Sequence, residues 1–87
     1  MVSKKTTVVN AEGFHMRPAG VFANTMSKFS SDVSLIVNGN IINAKSLMNI
    51  IAACIKCGTE VEVQCNGADE NEALSKALEL IDSGLGE

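Results

Sequence analysis

The sequence predicts an α+β fold, an open-faced two-layer sandwich in the order βαββαβα: a four-stranded antiparallel sheet with three helices on one face. Three observations predict it. Apolar residues recur at helical spacing in three separate segments, each on one stripe. Short β-branched or alternating segments lie between them. One of these, residues 60–65, alternates cleanly between polar and apolar side chains, which requires one buried and one wet sheet face. One-sided helices and a one-sided sheet bury their apolar faces against each other, giving two layers.

Residues 2–9 are rich in valine and threonine and read as the first strand. Residues 10–14 form a loop. A helix follows from residue 16, because Ala19, Phe22, Ala23, Met26 and Phe29 recur on one face. Gly20 lies inside it at a cost of about 1 kcal/mol relative to alanine, and its missing side chain leaves room for a partner. Ser30-Ser31-Asp32 breaks the pattern. Residues 33–37 and 40–43 are strands joined by Asn38-Gly39, the strongest short hairpin signal. A short helix over residues 47–53 carries Leu47, Ile50, Ile51 and Cys54, with Ser46 at its N-cap. Gly58 ends that unit, and Asn66-Gly67-Ala68 turns after the alternating strand. Asp69 then caps the last helix, with Glu72 completing a capping box and Ala73, Leu74, Ala77, Leu78 and Ile81 forming the buried stripe. Gly84 or Gly86 stops it.

The chain of 87 residues is expected to be one domain over residues 1–87, without internal repeat or linker. No apolar run approaches a membrane span, and the N-terminus lacks the apolar stretch of a secretory signal. Three cysteines, an odd number, favour a reducing, cytoplasmic setting over a disulfide framework. The net charge of −3 is uneven. Residues 1–59 carry six bases against two acids, and residues 60–87 carry one base against eight acids. One arginine and no Tyr or Trp are too little for nucleic acid; a basic half suits an acidic protein partner or a phosphoryl group.

The only histidine, arginine and proline fall together in His15-Met16-Arg17-Pro18, inside that basic half. Histidine offers a nucleophilic nitrogen near neutral pH. Arginine offers a permanent cation shaped for phosphate. Proline suits the first turn of a helix, where backbone N–H groups bind anions. Gly13 permits a sharp turn beside the imidazole. The cluster predicts anion chemistry: a phosphoryl group accepted on His15, with Arg17 balancing charge on the transferring oxygens. A histidine that merely caps a helix is the alternative.

Ser46 is a structural N-cap and also a place where phosphorylation would put about −1.5 to −2 charge at a helix N-terminus. Leu47 and Met48 follow it, and one of them can face solvent as an adaptable contact, although core packing is the commoner fate. Cys54-x-x-Cys57 has the spacing of a redox or metal half-site. Zinc needs four ligands, and only Cys65 and His15 remain as soft donors with nothing to place them together. No metal and no cofactor are therefore expected. Cys54 and Cys65 read as small buried hydrophobes, and Cys57 as a turn residue.

Gly13-Phe14-His15-Met16-Arg17-Pro18-Ala19 together with Lys45-Ser46-Leu47-Met48 resembles the HPr family, the phosphocarriers of the bacterial sugar phosphotransferase system, in its Gram-positive type. The resemblance runs the length of the chain, through Gly67-Ala68-Asp69-Glu70-Asn71. It implies a carrier rather than an enzyme, without cofactor and monomeric. Such a carrier takes a phosphoryl group from enzyme I onto Nδ1 of His15 and gives it to enzyme IIA domains of sugar permeases. It implies that a kinase/phosphorylase modifies Ser46, producing a form that binds a catabolite-control transcription regulator. It implies a docking patch of Met16, Arg17, Gly20, Ser46, Leu47, Met48 and Ile51. Phe14 and Met16 are bulkier than the family's usual residues, and Asn49 and Cys54 stand where regulated members commonly have glycine. Two other functions remain beside the carrier: a regulatory binding module of the same fold acting through Ser46, whose known kind lacks the active histidine, and a redox or metal protein resting on the two cysteines.

Overall fold

Residues 1–9 and 13–84 are described by a computed structural model. They run in the order β1 (Val2–Thr7), α1 (Met16–Met26), β2 (Asp32–Val37), β3 (Asn40–Asn43), α2 (Leu47–Ala52), β4 (Glu60–Asn66) and α3 (Glu70–Asp82). The strands form one antiparallel sheet in the order β1-β4-β2-β3. The cleanly alternating segment is thus an inner strand. Cys65 lies opposite Val2 on one side and Val33 on the other, and Val63 opposite Lys4 and Leu35. Val61, Val63 and Cys65 of β4 and Val33, Leu35 and Val37 of β2 are buried under the helices. Glu62, Gln64, Ser34 and Ile36 alternate onto the open face, as the two-residue period of a strand demands. Asn38 and Gly39 both have positive φ (51° and 81°), which the tight hairpin turn requires.

The helices cover the other face. α1 buries Pro18, Ala19, Phe22, Ala23 and Met26, α3 buries Ala73, Ala77 and Ile81, and the short α2 buries Ile50. α1 lies beside α2, and α3 packs on β1 and β4. Among the described residues no helix is long and apolar enough to cross a membrane.

Helix α1 stops at Met26, one turn before Phe29. The backbone N–H and hydroxyl of Ser27 both donate to the carbonyl of Ala23, at 3.0 and 2.7 Å. The next two amides then take tighter i→i−3 acceptors, so the α-helical ladder ends and Phe29 reaches the core from a turn. Residues 10–12, part of the expected loop, and Gly86, one of two expected helix stops, lie outside the described residues. Gly84 has φ 86° just past α3.

Asp69 occupies the N-cap position of α3 but makes no side-chain capping bond there. Its carboxylate instead accepts the amides of Ser30 and Ser31, each at 2.9 Å, and the Ser31 hydroxyl. Glu70, not Glu72, reaches back from the first turn, and it accepts the Gly67 N–H at 3.2 Å rather than the N-cap amide that a capping box uses. A long-range acceptor role thus displaces the local capping box. A Cβ on Gly67 would lie 2.6 Å from Ser31 Cα, so this joint tolerates only glycine. The serine hydrogen bonds hold the Asp69 carboxyl down at about 2.

That shift has a pH consequence. Between about 4 and about 2 the unfolded chain binds a proton at Asp69 that the folded chain refuses. Stability is therefore expected to be intact above about pH 4 and to fall as pH drops toward 2. The neighbouring Glu70, lowered first by its Gly67 bond and then by the N-terminus, acts in the same direction. Asp69→Asn should be less stable at neutral pH and should show a shallower acid decline in thermal midpoint. An identical acid slope in the two proteins would refute the assignment.

The cysteines depart from expectation at one position. Cys65 is fully buried in β4, but Cys54 is exposed, as is Cys57. Cys54 follows the Ala53 C-cap of α2 with φ 54°. This left-handed position past a helix end favours glycine and costs another residue about 1 kcal/mol. The geometry supplies a physical reason for glycine there and turns the thiol outward.

Candidate functional site

The loop before α1 is held from below. Gly13 has φ 66°, and a Cβ there would collide with the Ile55 carbonyl oxygen and sit 2.7 Å from Lys56 Cα. Only a residue without a side chain lets the loop close on the segment after α2. The Phe14 amide then donates to the Ile55 carbonyl at 2.9 Å. Phe14 itself is buried, its ring edge-on to Phe22 with centroids 5.3 Å apart. The bulky residue at position 14 thus anchors the loop in the core rather than disturbing it.

With Phe14 pointing in, the next residue stands at the mouth of the helix. His15 is the N-cap of α1, with extended backbone (φ −85°, ψ −171°), and its carbonyl accepts the Ala19 N–H at 2.9 Å. Its side chain is half-buried. Met16 and Arg17 follow, both exposed, and Pro18 is buried. Pro18 has no N–H, so Met16 and Arg17 supply the first-turn amides that find no acceptor inside the helix. An imidazole, two outward amides and an exposed guanidinium therefore share one helix end. That set can hold a dianion without a cleft.

Ser46 caps α2, its hydroxyl accepting the Asn49 N–H at 3.3 Å. The Lys45 ammonium is committed elsewhere, donating to the Phe29 carbonyl at 2.8 Å, so it ties the turn after α1 to the start of α2. The expected docking residues lie on these two neighbouring helices. Met16 is 65% and Met48 70% exposed, while Leu47 and Ile51 are half-buried against the core. Nothing lies within 4 Å of where a Cβ on Gly20 would stand. The exposed Val21 adds an apolar side chain on α1 that the helical pattern did not single out.

The support under the His15 loop, residues Ile55 and Lys56, also escaped the sequence. No local pattern marks it, and only Gly13 hints that some backbone must come close. A cleft of about 420 Å³ opens elsewhere, between the β2–β3 hairpin and α2, lined by Ile41, Asn49 and Ala52 among others; neither His15 nor Arg17 borders it. Among the described residues no group of three His, Cys, Asp or Glu side chains could hold a metal ion.

Residues 2–83 match the family model described as the PTS HPr component phosphorylation site. Phosphocarrier protein HPr of Mycoplasma capricolum subsp. capricolum is 38% identical over 86 residues, covering 98% of this chain and 97% of that protein. The HPr-like protein Crh of Bacillus subtilis is 41% identical over 76 residues, covering 87% and 89%. The crystal structure of an HPr from Thermoanaerobacter tengcongensis superposes with a TM-score of 0.96 at 37% identity, covering 100% of this chain and 98% of that one.

Proposed function

The chain belongs to the HPr family of the phosphotransferase system, and from that premise we propose that it relays a phosphoryl group from phospho-enzyme I to enzyme IIA domains of sugar permeases, carried on His15. The observation that carries this reading is the placement of His15 at the N-terminus of α1, on a loop clamped by Gly13 and the Phe14–Ile55 bond. A neutral imidazole nitrogen attacks the donor's phosphorus. The new N–P bond forms as the donor's bond to phosphorus breaks, and no proton need move in that step. The resulting dianion sits where the amides of Met16 and Arg17 and the helix dipole oppose its charge. Onward transfer reverses these events at an acceptor. The group rides on a protruding helix end, so the partner supplies the pocket that excludes water. Such a carrier works in the cytoplasm and turns over nothing by itself.

Met16, Gly20, Leu47, Met48 and Ile51 form the contact surface for these partners. Exposed methionines are polarizable and adapt to more than one surface, which suits a shuttle with several clients. The basic bias of residues 1–59 speeds encounter with acidic partners more than it tightens binding. Ser46 is the regulatory site for a kinase/phosphorylase. Its phosphate would stand on this same surface and change what docks, repelling acidic relay partners and creating a feature a catabolite regulator can read.

The test is incubation with phosphoenolpyruvate and active enzyme I. One acid-labile, base-stable phosphate per chain is expected, with its phosphorus NMR signal on a ring nitrogen. No uptake by the protein, while the same enzyme I charges another HPr, would end the proposal. For Ser46, a competent kinase and ATP should add an acid-stable phosphate that Ser46→Ala lacks; no incorporation removes the regulatory role. Arg17→Lys should keep the fold and slow transfer by about 10-fold or more, because an ammonium cannot make the planar two-point contact with the moving oxygens. Stopped transfer assays with each variant would show it, and equal rates would reduce Arg17 to a source of net charge.

A further inference from the structure

The segment that supports the His15 loop is flanked by two exposed thiols. Ile55 is buried, and its carbonyl holds the Phe14 amide at 2.9 Å. Cys54 precedes it and Cys57 follows Lys56, and both side chains reach solvent. The residues just after β1 and just before β4 are tied together too: Val8 donates to the Thr59 carbonyl at 3.0 Å and accepts the Gly58 amide at 2.8 Å. Cys57 Sγ lies 3.8 Å from the Val9 carbonyl, to which it donates. The third thiol, Cys65, is fully buried, and burial, with the Glu70 and Asp69 charges adding, pushes its pKa up, so it stays protonated and unreactive.

We propose that Cys54 and Cys57 are a thiol-oxidation site, closed to an internal disulfide by a small-molecule disulfide, and that closure withdraws the support beneath His15. The effect on transfer rests on the phosphocarrier reading above; the oxidation itself does not. One cysteine attacks the small disulfide, releasing one thiol and leaving a mixed disulfide. The other cysteine attacks that bond and releases the second thiol. Two thiol hydrogens leave the pair, and the small disulfide is reduced to two thiols.

The coupling follows from geometry. A disulfide needs its Cα atoms about 4.4–6.8 Å apart. Between residues i and i+3 that spacing is the definition of a β-turn. In the structure the turns lie at residues 53–54 and 57–58, and Ile55 and Lys56 run between them. Closing the bridge must fold Ile55 and Lys56 into a turn, which swings the Ile55 carbonyl off the Phe14 amide and moves the backbone against which Gly13 is packed.

Wild type, Cys54→Ser and Cys57→Ser should be incubated in glutathione disulfide and compared with and without dithiothreitol. The wild type is expected to lose the mass of two hydrogen atoms, to lose amide-exchange protection at Phe14 while β4 keeps its own, and to accept phosphoryl groups about 10²-fold more slowly, a loss typical of a displaced reacting group. Dithiothreitol should restore all three, and neither serine variant should lose the two hydrogens. Mixed disulfides alone, unchanged Phe14 protection after closure, or protection lost throughout the sheet would each overturn the proposal. If reduced wild type takes up no phosphoryl group, the carrier reading fails instead, and the Phe14 amide still reports whether the bridge moves the loop.

Discussion

His15→Ala is expected to remove phosphoryl uptake entirely while leaving the fold in place. The two halves of this expectation have separate causes. Uptake needs a nucleophilic nitrogen at the helix mouth, and the chain has one histidine. The remaining groups of the site, the first-turn amides and Arg17, can stabilise a phosphate but cannot form a bond to it. The fold is kept because the bond that starts α1 comes from the His15 backbone carbonyl, which alanine retains. A change of about 1 kcal/mol or less is expected in urea unfolding. Phosphate that persists in the alanine variant, with the same acid lability, would place the acceptor elsewhere.

Gly13→Ala carries the largest expected structural effect. An alanine at φ 66° is strained by about 1 kcal/mol, and the added methyl would strike main-chain atoms of Ile55 and Lys56 that no side-chain rotation can move. The loop must lift, giving up the Phe14–Ile55 bond and part of the Phe14–Phe22 packing. A loss of about 2–4 kcal/mol is expected, a large share of the stability of a domain this small. Whatever folds should accept phosphoryl groups about 10²-fold more slowly, since a shift of about 1 Å in the reacting atom is enough for that. Gly20→Ala is the control of opposite sign. It lies in a helix with open space above it, so it should gain about 0.5–1 kcal/mol. Urea midpoints that move the same way in both variants would contradict the account of Gly13.

The elements were legible because their causes are local. Asn38-Gly39 has to be a hairpin turn wherever the chain sits, and the alternation of Glu60 to Cys65 marks a half-buried strand before its neighbours are known. Ser46 could be read as an N-cap because a hydroxyl and an amide three residues on meet by helix geometry alone. The same local logic failed at Asp69. Its neighbours in sequence specify a capping box, but two serine amides and a hydroxyl from the turn just before β2 offered the carboxylate more hydrogen bonds than its own helix could. It failed again at Cys54, where apolar periodicity predicted burial and a left-handed helix end turned the side chain outward.

The sequence alone determined the order of elements and the two layers, and it drew together the residues proposed to meet an anion, since each follows from side chains a few positions apart. Which strands neighbour one another, how the His15 loop is held from beneath, and where the thiols stand were decided only by tertiary structure. Those features depend on backbone contacts between segments distant along the chain. Such contacts leave no periodic trace in composition beyond the glycines that make room for them.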